Sequence, residues 1–128
     1  MIPSFDPSST EPNRSREDQW RESFPHGATL SVIVPVYNER YLVTELLTQL
    51  LNVSSPGIGQ LEIIIVDDGS TDGTTAVVQE FAAHHSEQMR VIAKPKNEGK
   101  GAAIRSGIDA TTGDLIVIQD ADLEYDPQ

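Results

Sequence analysis

Four short apolar segments, rich in valine and isoleucine, alternate with amphipathic helical patterns along the chain. They occupy residues 30–36, 61–66, 89–93 and 115–118. Continuous apolar segments of this length are typical of strands that are buried on both faces. The predicted order is β-α-β-α-β-α-β, and parallel strands joined by crossover helices leave few other topologies open. The predicted fold class is therefore α/β, a Rossmann-like parallel sheet sandwiched by helices, in which the fourth segment is fully buried.

The three helical patterns carry their own start signals and apolar faces. We expect Asn38 to cap the first helix and Ser70 or Thr71 to cap the second, because small polar side chains satisfy the first backbone N–H groups of a helix. The third helix consists mainly of small residues, and we expect Ile104 and Ile108 to face the core.

Residues 1–28 differ in composition from the rest of the chain. They hold four of the eight prolines, among serine, threonine, glutamate and arginine. Such a segment cannot bury a core of its own. We predict a disordered or loosely docked extension over residues 1–28, followed by one domain over residues 29–128. Trp20 and Phe24 are large enough to attach the extension to the domain or to bind a partner.

The bulk composition excludes several classes of protein. The chain has 128 residues and no cysteine, which allows one domain and excludes both disulfides and thiolate metal sites. A formal net charge of −11 argues against binding nucleic acid through a basic face. No apolar run approaches the ~18 residues that span a bilayer, and the first residues lack the pattern of a signal peptide. These features are compatible with a cytoplasmic location.

Three carboxylates follow the last apolar segment at alternate positions, Asp120, Asp122 and Glu124. In an extended chain, residues two apart point to the same side. Carboxylates that emerge together repel each other unless a cation neutralises them. A divalent Mg²⁺ or Mn²⁺ ion, shared with substrate phosphates, would do so. The alternative that this pattern leaves open is a solvated acidic turn.

Polar side chains also follow the other predicted strands, where a parallel sheet of this kind binds its ligands. They are Tyr37, Asn38 and Glu39 after the first strand, Asp67 and Asp68 after the second, and Lys94, Lys96, Asn97 and Lys100 after the third. A tyrosine in such a place offers a ring to stack on and a hydroxyl to hydrogen-bond. We therefore expect one cleft, with acidic groups at its floor and lysines at its rim.

Two shorter motifs have competing interpretations. The acidic loop at 67–73 resembles a calcium loop, but Gln79 stands where the closing glutamate is required, so Asp72 is interpreted as an acid at a helix N-terminus. Gly99 and Gly101 match neither a dinucleotide fingerprint nor a phosphate-binding Walker sequence. A helix N-terminus beside Lys100 is still suited to an anion.

Taken together, the motifs resemble those of the family 2 glycosyltransferases of GT-A fold. They are VPVYNE at 34–39, IIIVDDGSTDGT at 63–74, NEGKGAAIRSG at 97–107 and GDLIVIQDADLEYDP at 113–127. The branch they resemble transfers mannose or glucose to polyprenyl or dolichyl phosphate. The resemblance implies an inverting transfer from a nucleotide-diphosphate sugar, of the GDP-mannose or UDP-glucose type, to a lipid-linked acceptor at the cytosolic face of a membrane. No nucleic-acid partner is expected, on the ground of the net charge given above.

The resemblance also assigns roles to individual residues. It places the nucleoside at Pro35, Tyr37 and Glu39, the base at Val66 and Asp68, and the ribose, diphosphate and metal at Asp120, Ala121 and Asp122. The implied metal ligands are Asp120, Asp122 and Glu124, where Glu124 stands in place of a glutamine that is common in relatives. Lys96 or Lys100 would assist the leaving diphosphate.

The family's domain continues beyond the last of these motifs. We therefore expect residues 29–128 to form the nucleotide-binding half of such an enzyme, truncated after the fourth strand and without a catalytic base. The fourth strand, which is central in the family's sheet, is then expected to lack a following helix or neighbour and to be uncovered. Alone, it is expected to bind donor weakly and not to turn over, and any membrane contact would lie in the missing C-terminal part. Two rival hypotheses are a receiver domain with Asp120 as phospho-acceptor, and a non-catalytic module that binds nucleotide or a protein partner.

Overall fold

The computed structural model of the protein describes residues 15–121. The elements within this range are α1 (Arg16–Ser23), β1 (Ala28–Val36), α2 (Val43–Leu51), β2 (Ile58–Asp67), α3 (Thr74–Ala83), β3 (Met89–Ala93), α4 (Lys100–Ala110) and β4 (Leu115–Ile118). From β1 onward, the predicted alternation of strands and helices is confirmed. The predictions for Asp122 and Glu124 fall outside the described residues.

The four strands form one parallel sheet with the order β3-β2-β1-β4. β1 lies between β2 and β4, and Val32 is in register with Ile63 on one side and with Val117 on the other. The chain thus moves outward from β1 to β3 and then crosses to the opposite side of β1. The receiver-domain hypothesis is wrong, because it treats the first strand and helix as a segment in front of the domain.

The sheet carries a separate apolar cluster on each face, because successive side chains of a strand point to opposite sides. One cluster joins strand residues such as Val34 and Ile65 to Leu47 of α2 and Val78 of α3. The other joins Ile33, Ile64 and Val66 to Ala103 of α4. Helices therefore cover both faces, as the alternation predicts.

The predicted capping residues of two helices are wrong. Asn38 does not cap α2, which begins at Val43 after Leu42, and instead has a left-handed backbone with φ of 52°. α3 begins at Thr74 after Gly73, without a side-chain cap from Ser70 or Thr71. The side chains of Asn38 and Ser70 instead join the loops after β1 and β2, and a rule about local helix starts does not predict partners so distant in the sequence.

The acid predicted at the N-terminus of α3 is found there. The carboxylate of Asp72 accepts a hydrogen bond of 3.0 Å from the backbone N–H of Thr74. The hydroxyl of Thr74 donates to the same carboxylate, and this bond is the main reason that the pKa of Asp72 lies below its usual value.

The predicted orientation of α4 is partly wrong. Ala103 and Gly107 are the buried residues of this helix, whereas Ile108 is 43% exposed. Gly107 lies directly against the side chain of Ile33. The helix thus approaches the sheet through its smallest residues, and the rotation that allows this turns Ile108 toward solvent.

The apolar run of β4 alone predicts burial on both faces, but the described residues match the further expectation that this strand has no covering neighbour. Ile116, Val117 and Ile118 are 46 to 48% exposed. Within residues 15–121, β4 pairs with β1 along one edge only. An edge strand exposes its unpaired backbone groups and part of its side chains to solvent.

Helix α1 was not predicted. Ser15 and Asp18 form a reciprocal capping box at its start. The indole N–H of Trp20 donates a hydrogen bond of 3.0 Å to the carbonyl of Gly57, and the rings of Trp20 and Phe24 lie 4.8 Å apart. Of the two roles considered for Trp20, the structure shows the contact with the domain.

A cluster of polar groups holds the turn before β4 against the sheet. The carboxylate of Glu62 accepts hydrogen bonds from the hydroxyl of Ser31 (2.7 Å) and from the backbone N–H and hydroxyl of Thr112 (2.9 and 2.7 Å). A guanidinium nitrogen of Arg90 lies 3.5 Å from a carboxylate oxygen of Glu62. Burial acts to raise the pKa of Glu62, but the bonds from Thr112 and Ser31 outweigh it and hold this pKa below its usual value.

Replacing Glu62 with glutamine is expected to lower the free energy of unfolding at pH 7 by about 1–2 kcal/mol, since the amide cannot accept all of these bonds. The lowered pKa in the folded state means that wild type has its full stabilisation above 4.5, the usual pKa, and loses it as the pH falls through the lower folded value. Urea unfolding at several pH values should therefore show that the free energies of unfolding of wild type and Glu62→Gln become more similar as the pH falls. The exposed Glu87→Gln is the control, and identical pH profiles of the two variants would contradict the assignment.

Candidate functional site

A pocket of about 280 Å³ opens at the carboxyl end of the sheet. It is lined by Pro35, Val36, Tyr37, Glu39, Asp68, Asn97, Gly99, Lys100, Ala103 and Asp120. Because β2 and β4 leave β1 in opposite directions, the pocket lies at the point where the strand order reverses. Parallel α/β sheets bind their ligands in this place.

The loop after β1 is fixed by the loop after β2. The backbone N–H of Asn38 donates to the hydroxyl of Ser70 (2.9 Å), and the side-chain carbonyl of Asn38 accepts from the backbone N–H of Thr71 (2.8 Å). The backbone N–H of Glu39 donates to the hydroxyl of Thr74 (2.9 Å). Tyr37 is thereby held at the pocket with 43% of its surface exposed, which leaves its ring accessible for stacking.

Opposite charges meet across the pocket. Lys100 is the first residue of α4, and its ammonium forms an ion pair with the carboxylate of Asp120, which follows β4. About half of each side chain is exposed. The N-terminus of α4 adds partial positive charge beside Lys100, and the carboxylates of Asp120 and Asp68 bind these two positive groups.

Two adjacent aspartates at the end of β2 are buried, and both accept hydrogen bonds from backbone N–H groups. Asp67 accepts from the backbone N–H of Ser70 (3.1 Å) and from the hydroxyl of Thr75. Asp68 accepts from the backbone N–H groups of Glu98 (2.9 Å) and Gly99 (3.0 Å). The sequence places both carboxylates at this edge but does not reveal these partners, which for Asp68 lie about 30 residues away.

The remaining predicted residues lie away from the pocket lining. Val66 is fully buried in the cluster beneath α4, and Ala121 is 1% exposed in the cluster on the other face. Lys96 is exposed and does not line the pocket. Val36 and Ala103 do line it but were not predicted, because apolar side chains give no chemical signal of a site in a sequence.

The proposed metal ligands are only partly within the described residues. Between residues 15 and 121, no group of three acidic or histidine side chains is arranged to hold a metal ion. Asp120 is the one member of the predicted ligand set in this range, and Asp122 and Glu124 lie outside it. The carboxylate oxygens of all three are the ligand type that Mg²⁺ and Mn²⁺ prefer.

Between residues 15 and 121, no helix has the length and apolar character needed to cross a bilayer.

A parallel sheet covered by helices on both faces, with a pocket where the strand order reverses, defines a Rossmann-like α/β domain. The sequence profile of Glycosyl transferase family 2 matches residues 31–128. The chain belongs to this family.

Curated relatives agree with the assignment. The chain is 38% identical over 106 residues to the probable glycosyltransferase YdaM of Bacillus subtilis, covering 81% of this chain and 25% of that protein. It is 34% identical over 99 residues to an undecaprenyl-phosphate 4-deoxy-4-formamido-L-arabinose transferase of Aeromonas hydrophila (77% and 30% covered). It has the same identity to a dodecaprenyl-phosphate galacturonate synthase of Rhizobium johnstonii (77% and 29%). The chain thus spans about a quarter to a third of these relatives.

Solved structures confirm the GT-A fold class. The mannosyltransferase PcManGT from Pyrobaculum calidifontis, in complex with GDP-Man and Mn²⁺, superposes with a TM-score of 0.65 at 28% identity, over 84% of this chain and 33% of that one. S. aureus TarS 1–349 in complex with UDP-GlcNAc gives a TM-score of 0.63 at 30% identity, over 73% and 26%.

Proposed function

We propose that this chain forms the donor-binding part of an inverting glycosyltransferase that transfers a sugar from a nucleotide diphosphate to a polyprenyl phosphate. The observation that carries the proposal is the pocket at the reversal point of the sheet, whose lining includes the aromatic residue Tyr37 and the cationic residue Lys100. Two of the curated relatives are named for transfer to prenyl phosphates, and the two solved neighbours hold GDP-Man and UDP-GlcNAc.

Within this pocket, the nucleoside is proposed to lie against Pro35, Tyr37 and Glu39. Lys100 and the N-terminus of α4 face the diphosphate, because they supply positive charge. Lys100 is favoured over Lys96 for this role, since only Lys100 lines the pocket. The contact of the base with Val66 and Asp68 stays a prediction.

The proposed reaction is a displacement at the anomeric carbon of the sugar. An oxygen of the acceptor phosphate attacks this carbon, and the bond to the donor diphosphate breaks with its electron pair on the departing nucleoside diphosphate. The acceptor oxygen is already anionic near neutral pH, so it attacks without losing a proton. The ammonium of Lys100 stabilises the charge that develops on the leaving group. A divalent Mg²⁺ or Mn²⁺ ion held by Asp120, Asp122 and Glu124 would supply further positive charge there.

The acceptor sets the proposed location. A polyprenyl phosphate is anchored in a membrane, so the complete enzyme would work at a membrane surface, on the cytosolic side where nucleotide sugars are the donors. For the chain itself, the proposal concerns only the part that binds the donor. The proposed donor is a nucleotide-diphosphate sugar of the GDP-mannose or UDP-glucose type.

Calorimetric titration of the purified chain with GDP and with UDP, each with and without Mn²⁺, tests this proposal. We expect one nucleotide to bind in a metal-dependent manner, and Asp122→Ala to abolish the metal dependence because a ligand of the cation is removed. Asp109→Ala, which removes the same charge from the exposed side of α4, is the matched control and should bind as wild type does.

Failure of a folded wild-type chain to bind either nucleotide would contradict the proposed function. Metal-dependent binding by wild type that survives in Asp122→Ala would remove Asp122 from the ligand set while leaving the donor site in place. We expect no sugar transfer by this chain alone, and measurable turnover would contradict that expectation.

A further inference from the structure

Asp68 holds the loop between β3 and α4. Its two carboxylate oxygens accept one backbone hydrogen bond each, from Glu98 (2.9 Å) and from Gly99 (3.0 Å). The side chain is 4% exposed, and its own backbone N–H donates to the carbonyl of Val36 (2.9 Å). A buried carboxylate that receives two N–H groups makes strong, charge-assisted bonds. Asp68 thus ties the end of β2 to a segment 30 residues further along the chain.

The next residue, Gly69, fixes the same loop through shape. Its φ is +73°, a left-handed value that favours glycine. A methyl group added there would lie 2.7 Å from the Cα atom of Lys96 and would also collide with the backbone N atom of Asn97. The backbone of residues 96 and 97 therefore rests directly on Gly69. Together, Asp68 and Gly69 hold four consecutive residues of the loop.

This loop delivers the cationic side of the pocket. Asn97 and Lys100 both line the pocket, and Lys100 follows directly after the two N–H groups that Asp68 binds. The side-chain carbonyl of Asn97 accepts a further bond of 3.1 Å from the N–H of Gly99. These contacts set the direction in which α4 begins, and the ion pair with Asp120 then holds the Lys100 ammonium at the pocket.

We propose that Asp68 is a positioning residue for the diphosphate end of the donor, which acts by holding the 97–100 loop so that Lys100 faces the phosphates. This rests on the proposed function. It differs from the role that the resemblance implies for Asp68, namely contact with the base. The two roles predict different losses of affinity when Asp68 is replaced. A nucleoside has the base but not the diphosphate, so only a contact with the base would weaken its binding.

The test compares nucleoside diphosphates with nucleosides by NMR titration, which measures weak binding. Asp68→Asn keeps the shape of the side chain but replaces one acceptor oxygen with a donor. We expect it to weaken binding of GDP or UDP about tenfold and to leave the affinity for guanosine or uridine unchanged. Equal loss for the diphosphate and the nucleoside would overturn the proposal in favour of base contact. Unchanged binding of the diphosphate would overturn it as well.

A double-mutant cycle shows whether Asp68 acts through Lys100. If it does, Asp68→Asn should cost little further diphosphate affinity once Lys100→Ala is present, because the effects of coupled residues do not add. The matched control is Asp67→Asn, which alters the adjacent buried carboxylate that binds Ser70 and Thr75 instead of this loop. Its effect should add to that of Lys100→Ala. Full additivity for Asp68→Asn would overturn the proposal.

Backbone hydrogen exchange provides a measurement without any nucleotide. The amide protons of Glu98 and Gly99 should exchange faster in Asp68→Asn than in wild type and in Asp67→Asn, since their acceptor is weakened. Unchanged exchange would overturn the positioning role even if no nucleotide binds. A wild-type chain that binds neither GDP nor UDP, with faster exchange in Asp68→Asn, would contradict the proposed function but leave the loop contact established.

Discussion

Replacing Lys100 with alanine is expected to lower the affinity of the chain for GDP or UDP by roughly 10- to 100-fold, the usual loss when a charged hydrogen-bond donor is removed. Lys100 is the cationic side chain among the residues that line the pocket, and it stands at the N-terminus of α4. Alanine is a good helix former, so the helix start should persist. Calorimetry at two salt concentrations measures the effect, and the salt dependence of binding should decrease in Lys100→Ala because a charge contact is lost.

Lys96→Ala is the matched control for this prediction. It removes the same charge four residues earlier, from an exposed side chain outside the pocket lining. We expect nucleotide affinity close to that of wild type. Equal losses in the two variants would show that the lysines act only through the overall field, and the role proposed for Lys100 would then be wrong.

Replacing Gly107 with alanine is expected to destabilise the protein by about 1–3 kcal/mol, the usual cost of adding a methyl group to a packed interface. The added Cβ would lie 2.5 Å from Cγ2 of Ile33 and 3.2 Å from its Cγ1. Ile33 is fully buried in the middle of β1 and cannot move aside without disturbing both neighbouring strands. α4 would have to withdraw from the sheet. Urea unfolding followed by circular dichroism measures the loss.

The same substitution at Gly101, six residues earlier in α4, is expected to raise the stability instead of lowering it. An added Cβ there meets only the guanidinium of Arg105 at 3.5 Å, an ordinary contact. Glycine costs roughly 0.5–1 kcal/mol relative to alanine inside a helix, so Gly101→Ala should stabilise the protein by up to that amount. A loss of stability in both variants would show that the packing of Gly107 is not the cause.

The alternation of strands and helices along the chain could be predicted because each strand is a continuous apolar run in the sequence. Burial on two faces requires such a run. The same logic identified the carboxyl end of the sheet as the ligand edge. Tyr37, Lys100 and Asp120 then meet there although more than 80 residues separate the first from the last. The polar residues that follow successive parallel strands are brought to one edge by the topology alone.

Helix ends and helix faces were predicted less well, since they depend on partners that are distant in the sequence. Asn38 has the chemistry of a helix cap, but its side chain binds Thr71 in the neighbouring loop. Ile108 is the more hydrophobic residue, yet Gly107 faces the sheet because α4 lies too close to Ile33 for a larger side chain. Local patterns describe what a residue prefers, whereas packing selects which preference is satisfied.

The sequence by itself determined the α/β class, the edge of the sheet at which the pocket opens and the chemical groups available there. Only the tertiary structure decided how these groups are used, above all that the carboxylate of Asp68 binds the backbone of Glu98 and Gly99. The physical reason is that burial and strand pairing follow from local apolar patterns, while a hydrogen bond between distant segments depends on how the whole chain packs.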